Sequence, residues 1–362
     1  MKEKPIHGVL PDYQIQDLMD SGVLLGATSS RIQPASIDLM PDLNTLMNLK
    51  HYTLPRKGES IEKLVKELRR NGIARSASSL ILPSQTHHLV RLKESLAGSD
   101  CFVRANPKSS IGRIFTHTRL ICDGTSVVDE IPKEYKGELW MLLTPKFPSI
   151  KLHEYEPINQ IRFFSGDARL SEHDLRRELV YKPKLVREPQ MLSNKQFPIT
   201  VTGNTIGQIP ISVDLKGKCY RTRSTNRPLG LEERNISFQE YYEEIDPEEM
   251  KNGLVVETAR GYLIGTIELF EVPQNMAIEV IVSDKFGAIQ IHFAGFVDPG
   301  FGLHIGNSVT LEIVANEIGV CLRHGQYVGT VSCEWMASVP KKIYQGNYKH
   351  QEAGAKLPKY LV

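Results

Sequence analysis

A six-residue phrase occurs twice in the chain, as Pro34-Ala35-Ser36-Ile37-Asp38-Leu39 and as Pro210-Ile211-Ser212-Val213-Asp214-Leu215. A repeat at this distance constrains the fold to two tandem copies of one unit. A second pair in the same order, Leu10-Pro11-Asp12-Tyr13-Gln14-Ile15 and Leu170-Ser171-Glu172-His173-Asp174-Leu175, opens a stretch of helical apolar spacing in each copy. The offset grows from 160 residues between Leu10 and Leu170 to 176 between Pro34 and Pro210. The copies therefore differ in the length of the intervening segment and have diverged.

At 362 residues and 41% hydrophobic content, the chain can supply two cores. Its 44 basic and 42 acidic residues leave a net charge of +2, which gives no general attraction to a nucleic acid polymer or a membrane. Any anion site must be local. The five cysteines, Cys101, Cys122, Cys219, Cys321 and Cys333, include no close pair, so buried free thiols in a reducing cytosol are expected rather than a disulfide framework or a zinc knuckle. The opening Met1-Lys2-Glu3-Lys4-Pro5 leads into no apolar run, and no stretch approaches the roughly 20 apolar residues of a membrane span. A soluble cytoplasmic protein is expected.

Helical spacing is confined to 12–21, 59–71, 172–181 and 238–252. Elsewhere the chain reads as short β-branched or aromatic segments separated by Gly, Pro, Asn and Asp, among them 254–256, 262–270, 277–282, 288–293, 308–314 and 327–332. This predicts a mainly β fold of closed or double-sheet units. The polar stretch 166–195 holds the junction, which places a first copy at 1–165 and a second at 166–340. The tail 341–362, rich in Lys, Gly, Gln and Tyr, is expected to add nothing to a core and to be either disordered or a flap.

Two places carry chemistry. Lys108-Ser109-Ser110-Ile111-Gly112-Arg113 puts two cations, two hydroxyls and a glycine into six residues. Turn N–H groups, short hydroxyls and a forked guanidinium can wrap a polyphosphate, with Gly112 permitting close backbone approach. Taken alone, the hexapeptide reads more readily as a solvated turn. In the second copy, Val297-Asp298-Pro299-Gly300-Phe301 precedes Thr310-Leu311-Glu312-Ile313, a strand with one acid among apolar neighbours. Facing inward, Glu312 would be desolvated and suited to proton transfer; facing outward, it would be the polar half of an ordinary alternation. The strand by itself leaves both open.

Taken in order, these pieces resemble the dCTP deaminases of the dUTPase-like superfamily, in a tandem-duplicated form. The resembling residues are the opening at 170–175, both Pro-x-Ser-Ile/Val-Asp-Leu phrases, the Lys-Ser-Ser-x-Gly-Arg turn, the Asp-Pro-Gly-Phe turn and Thr310-Leu311-Glu312. Gly325-Gln326, Gln160 and the tail phrase Asn347-Tyr348-Lys349-His350-Gln351 complete the set. The resemblance implies two distorted jelly-roll, or β-clip, units. It implies that Lys108, Ser109, Ser110 and Arg113 hold the triphosphate and order the attacking water, and that Glu312 is the general base. It further implies that Asp298 contacts the sugar and base region, that Thr310 and Leu311 read the pyrimidine through their backbone, and that Tyr348 and Gln351 belong to a C-terminal flap at 341–362. Within the flap, Asn347 stands where the family commonly has lysine, and the tyrosine before it, Tyr344, lies closer than usual.

The copies have decayed in complementary ways. The first has Leu142 in the place of the base, and the second has Ser283-Asp284-Lys285-Phe286-Gly287-Ala288 in the place of the phosphate turn, where an acid would repel a triphosphate. One site built from both copies is therefore expected. Single-copy relatives join the turn and the glutamate across subunits of a trimer, and three-fold symmetry cannot alternate two kinds of copy. A composite site therefore pairs unlike copies, within a chain or across a dimer; an even-numbered homo-oligomer with the site spanning two chains is the favoured expectation. The implied reaction converts dCTP to dUTP and ammonia, with Mg2+ carried by the triphosphate. The signature of zinc deaminases, His-x-Glu together with Pro-Cys-x-x-Cys, is not formed, since no two cysteines of the sequence stand in a Cys-x-x-Cys spacing. Two rivals stand beside deamination. One is a dUTP diphosphatase or bifunctional enzyme, against which the missing C-terminal Gly-rich clamp counts. The other is a non-enzymatic nucleotide sensor, against which complementary loss counts.

Overall fold

A computed structural model describes residues 7–181, 185–187, 200–202, 206–281, 289–291, 294–316, 318–349 and 354–362. The fold is mainly β, built from antiparallel sheets with a few short helices. The duplication is visible in the pairing. Strand Ile37–Leu39, which holds the second half of the first phrase, pairs antiparallel with Asn159–Phe164 at the end of its half; Ile206–Asp214, which holds most of the second phrase, pairs antiparallel with Tyr327–Trp335. The other echo behaves likewise: the Leu10 N–H donates to the Phe163 carbonyl and the Leu170 N–H to the Cys333 carbonyl, both at 2.9 Å.

Three of the four expected helices form, as Asp12–Asp20, Ile61–Arg70 and Glu172–Tyr181. The second is the clearest case: Ser60 caps it by accepting from the Lys63 N–H, and Ile61, Leu64, Val65 and Leu68 form one buried stripe. The fourth does not form. Residues 238–252 break into a 3₁₀ turn Phe238–Glu240, a strand Tyr242–Glu244 and one helical turn Pro247–Met250. Pro247 has no N–H and starts its turn at the first helical position, while Tyr242 and Ile245 serve different cores. The expected strands are present among the described residues, with 262–270 as Tyr262–Phe270 and 308–314 as Asn307–Ala315; 282, 288, 292 and 293, at the ends of two expected strands, lie outside those residues. Four cysteines are buried and free, and Cys321 is exposed.

The cores do not divide cleanly between the copies. One apolar cluster belongs to the second half, but the larger one combines first-half residues such as Ile37, Leu120 and Ile161 with Tyr220, Leu229, Tyr241 and Tyr242 from the second. Backbone pairing also crosses: Ile150–Lys151 runs parallel to Leu229–Gly230. The tail departs from expectation. Tyr348, Ala355, Tyr360 and Leu361 are buried in these clusters, and the Val362 N–H donates to the Ile236 carbonyl at 2.9 Å. Aromatic and aliphatic residues spaced through a polar tail are enough to seat it on apolar surface.

Candidate active site

The polar hexapeptide forms a single helical turn, Ser109–Gly112, between strands Phe102–Pro107 and Thr116–Cys122. The Lys108 carbonyl accepts from the Ile111 and Gly112 N–H groups at 2.8 and 2.9 Å. Phe115, just beyond, is fully buried with φ at +52°, a region that strains a bulky side chain. Its ring compensates by packing over Gly261 of the second half, where an added Cβ would lie 2.6 Å from the ring. Tyr242 donates its hydroxyl to the Arg113 carbonyl at 2.6 Å. The second half thus holds the turn in place.

Gly112 serves the same contact. A Cβ there would meet the Ala294 Cβ at 2.8 Å, the Ala294 nitrogen at 3.1 Å and Glu312 Oε1 at 3.3 Å. The missing side chain at Gly112 thus lets the turn pack closely on the other half of the protein.

Glu312 faces inward. All nine residues of Asn307–Ala315 are buried, because both faces of the strand are covered. Leu311 and Ile313 enter the second-half core, while Thr310 and Glu312 line a cavity of about 200 Å³. That cavity is also lined by Lys108, Ser109, Ser110 and Arg113 from the first half, by Asp298, and by Tyr348 of the tail. Eight of the ten residues picked out in the sequence therefore meet at one place. Leu311 turns its side chain into the core, and Gln351 lies outside the described residues, as does the segment 283–288.

The cavity is shaped by ion pairs and tail contacts. The Lys108 ammonium is held by the Asp38 carboxylate, so an acid of the repeated phrase partly offsets a cation of the turn. The Arg113 guanidinium stacks on the Tyr348 ring, 3.6 Å from its centroid, and donates to the Lys356 carbonyl at 2.7 Å. Ser110 Oγ and the Tyr348 hydroxyl are 2.8 Å apart. Burial pushes the Tyr348 phenol above its usual range, against the pull of Arg113. Asn307 donates its amide to the Tyr348 and Lys349 carbonyls, at 3.1 and 2.9 Å, which pins this part of the tail over the cavity. Burial likewise raises the Asp298 carboxyl, opposed by the neighbouring Arg162 guanidinium. Among the described residues, no three His, Cys, Asp or Glu side chains gather into a metal-holding group.

Both halves of the cavity come from one chain. Gly112 and Ala294 pack directly, so the turn and Glu312 meet within the chain, and a second chain is not needed to bring them together.

Leu142, in the place of a base, is buried with Leu89, Ile121 and the apolar stripe of helix Ile61–Arg70. An amide at 142 in that cluster would be buried without water. We expect Leu142→Gln to destabilise the protein by about 2 kcal/mol or more, read in denaturant unfolding. Unchanged stability would mean that this cluster is open to solvent.

Sequence reasoning passed over Gln33, Asp38, Tyr242 and Arg162. Arg162 carried a readable signal, a charge inside the apolar run Ile161-Arg162-Phe163-Phe164, the same signal that marked Glu312.

Family models of the N-terminal and C-terminal domains of 2'-deoxycytidine 5'-triphosphate deaminase match residues 6–167 and 184–361. Among solved structures, the crystal structure of 2'-deoxycytidine 5'-triphosphate deaminase from Agrobacterium tumefaciens superposes with a TM-score of 0.81 at 26% identity, covering 95% of this chain and 99% of that one. No curated protein matches. The two family models together take in nearly the whole chain, in the order that the repeat requires, and the chain belongs to the 2'-deoxycytidine 5'-triphosphate deaminase family.

Proposed function

We propose that the protein hydrolyses dCTP to dUTP and ammonia at one composite site per chain, formed by copies at 1–165 and 166–340 and closed by the tail 341–362. The observation that carries this reading is the meeting of Ser109, Arg113 and Glu312 on one cavity wall. On this reading the triphosphate lies along the turn, where Ser109, Ser110 and Lys108 donate hydrogen bonds and Arg113 exchanges its carbonyl and ring contacts for phosphate oxygens, a stronger charge-assisted pairing. The pyrimidine lies against Thr310 and Leu311, with Asp298 at the sugar and Tyr348 and Gln351 covering it. Glu312 takes one proton from a water ordered by Ser109 while the oxygen bonds to C4 of cytosine. That proton and the second water proton pass to N3 and the amino group; the C4–N bond breaks, leaving the uracil carbonyl and ammonia.

Tyr348 of the tail lines the cavity, so the tail is placed to contact a bound nucleotide. Zinc has no part in the proposed step; support comes from the missing zinc-deaminase signature. Mg2+ enters as part of the substrate, bound to the triphosphate. A cytoplasmic location fits a reaction on free nucleotides, and no helix among the described residues is long and apolar enough to cross a membrane. A homo-oligomer, on this reading, repeats complete sites.

Incubation with dCTP or dUTP and Mg2+, with ammonia and pyrophosphate measured separately, tests the function. Ammonia from dCTP is expected; pyrophosphate from dUTP without ammonia from dCTP would replace deamination by diphosphatase chemistry, and neither product would favour a sensor. A mixing test addresses the composite site. Inactive Ser109→Ala and Glu312→Gln chains, refolded together, are expected to stay inactive, since no chain then holds an intact pair. Recovery of activity would place the site between chains.

A further inference from the structure

Arg162 lies in strand Asn159–Phe164, whose six residues are all buried, and its side chain is wholly shielded from water. Its guanidinium reaches only into the second half. One arm, Nη2, donates to Asp298 Oδ1 at 3.0 Å and to the Val297 carbonyl at 2.9 Å. The other, Nη1, donates to Glu334 Oε2 and to the Ile278 carbonyl, both at 3.2 Å. The Phe296 ring lies against its face, 4.2 Å away at the centroid.

Directly opposite Arg162 on the neighbouring strand stands Arg104, and like charges at opposed positions repel. Glu334 relieves this by dividing its two oxygens between them, and Arg104 turns its second arm to Glu279. The result is a row of alternating charge, Asp298, Arg162, Glu334, Arg104, Glu279, that crosses from the first-half sheet to the second-half sheet. Buried ion pairs seldom add net stability over apolar packing of the same volume, so stability alone does not account for such a row. Its terminus suggests what does, because Asp298 is the one member that lines the cavity.

We infer that Arg162 is a positioning residue of the composite site: by gripping both the Asp298 carboxylate and the Val297 carbonyl, it fixes the Asp298 turn of the second half relative to the phosphate turn of the first. The inference rests on the proposed dCTP chemistry for its kinetic consequence but not for its structural one. A lysine at 162 keeps the charge but has one nitrogen in place of two, so it cannot hold Asp298 and Val297 on one side while holding Glu334 and Ile278 on the other. Arg104 offers the contrast: it shares Glu334 and the same interface but does not touch Asp298.

The experiment has a kinetic arm and an arm independent of activity. Arg162→Lys is expected to lower kcat/KM for dCTP by about 10–100-fold, the scale of a misplaced binding group. Asp298→Asn should cost at least as much, and the double variant no more than Asp298→Asn alone, because Arg162 acts through Asp298. Arg104→Lys should change kcat/KM by less than about threefold, because Arg104 reaches the row through Glu334 and does not touch Asp298. Losses that multiply in the double variant, or equal losses for Arg104→Lys and Arg162→Lys, would overturn the inference in favour of general interface stability. If Arg162→Lys fails to fold, Arg162→Gln with Asp298→Asn removes both charges together, and the comparison with Asp298→Asn decides in the same way. In the second arm, hydrogen exchange of the 294–301 segment should quicken in Arg162→Lys and not in Arg104→Lys; equal exchange in both overturns the inference. Wild-type protein without deaminase activity would sink the proposed function, while the exchange arm still judges Arg162.

Discussion

Glu312→Gln is expected to lower kcat for dCTP by about two to four orders of magnitude, the usual worth of a positioned general base, and to leave dCTP affinity within a few fold. The substitution keeps the volume and the hydrogen-bonding reach of the side chain, so the wall it forms with Thr310 and the Ser109–Gly112 turn should persist. What it removes is the capacity to take a proton. The site offers Glu312 no substitute of matching kind: Asp298, the other cavity acid, is committed to Arg162. Direct titration of nucleotide binding alongside single-turnover deamination separates the two effects. Near-normal turnover would remove Glu312 from the chemistry, and loss of binding with unchanged single-turnover rate would make it a binding group.

The history of this one residue also marks how far the sequence reaches. Period-two alternation assigns a side chain to a face only when one face is wet. Strand Asn307–Ala315 is covered on both faces, by its own half and by the Ser109–Gly112 turn of the other, so its pattern could not tell inward from outward. The repeated phrases, by contrast, were legible because each pairs within its own half, where local pattern and partner agree. Contacts between the halves were not. Residues 238–252 read as a helix because their apolar spacing suits one, but Tyr242 is drawn to Arg113 and the shared core, and Pro247 interrupts the backbone ladder. The tail read as inert because its polar composition dominates, whereas a few well-spaced residues, Tyr348, Tyr360 and Leu361, decide its fate. The charges inside apolar strands were the better guide. Glu312 was noticed by that sign, and Arg162 carried it equally.

Gly112→Ala is expected to lower kcat/KM for dCTP by about 100-fold, although alanine brings one methyl group and no charge. The glycine does not have a left-handed backbone, so the substitution adds no strain of its own. Its effect comes from space. The new Cβ would sit 2.8 Å from the Ala294 Cβ and 3.3 Å from Glu312 Oε1, and backbone lies behind the first contact, with the Ala294 nitrogen at 3.1 Å. Something must move, and the turn is held from behind by Tyr242 and by Phe115 against Gly261. The least resisted movement separates the turn from the Glu312 strand, which pulls the phosphate-binding groups away from the base. Adding Ala294→Gly takes away the atom nearest the clash, and the double variant should recover a large part of the lost activity. Recovery distinguishes a steric separation of the two halves from a direct role of the Gly112 backbone at the phosphates: if Gly112 met the nucleotide itself, trimming Ala294 on the far side would restore nothing.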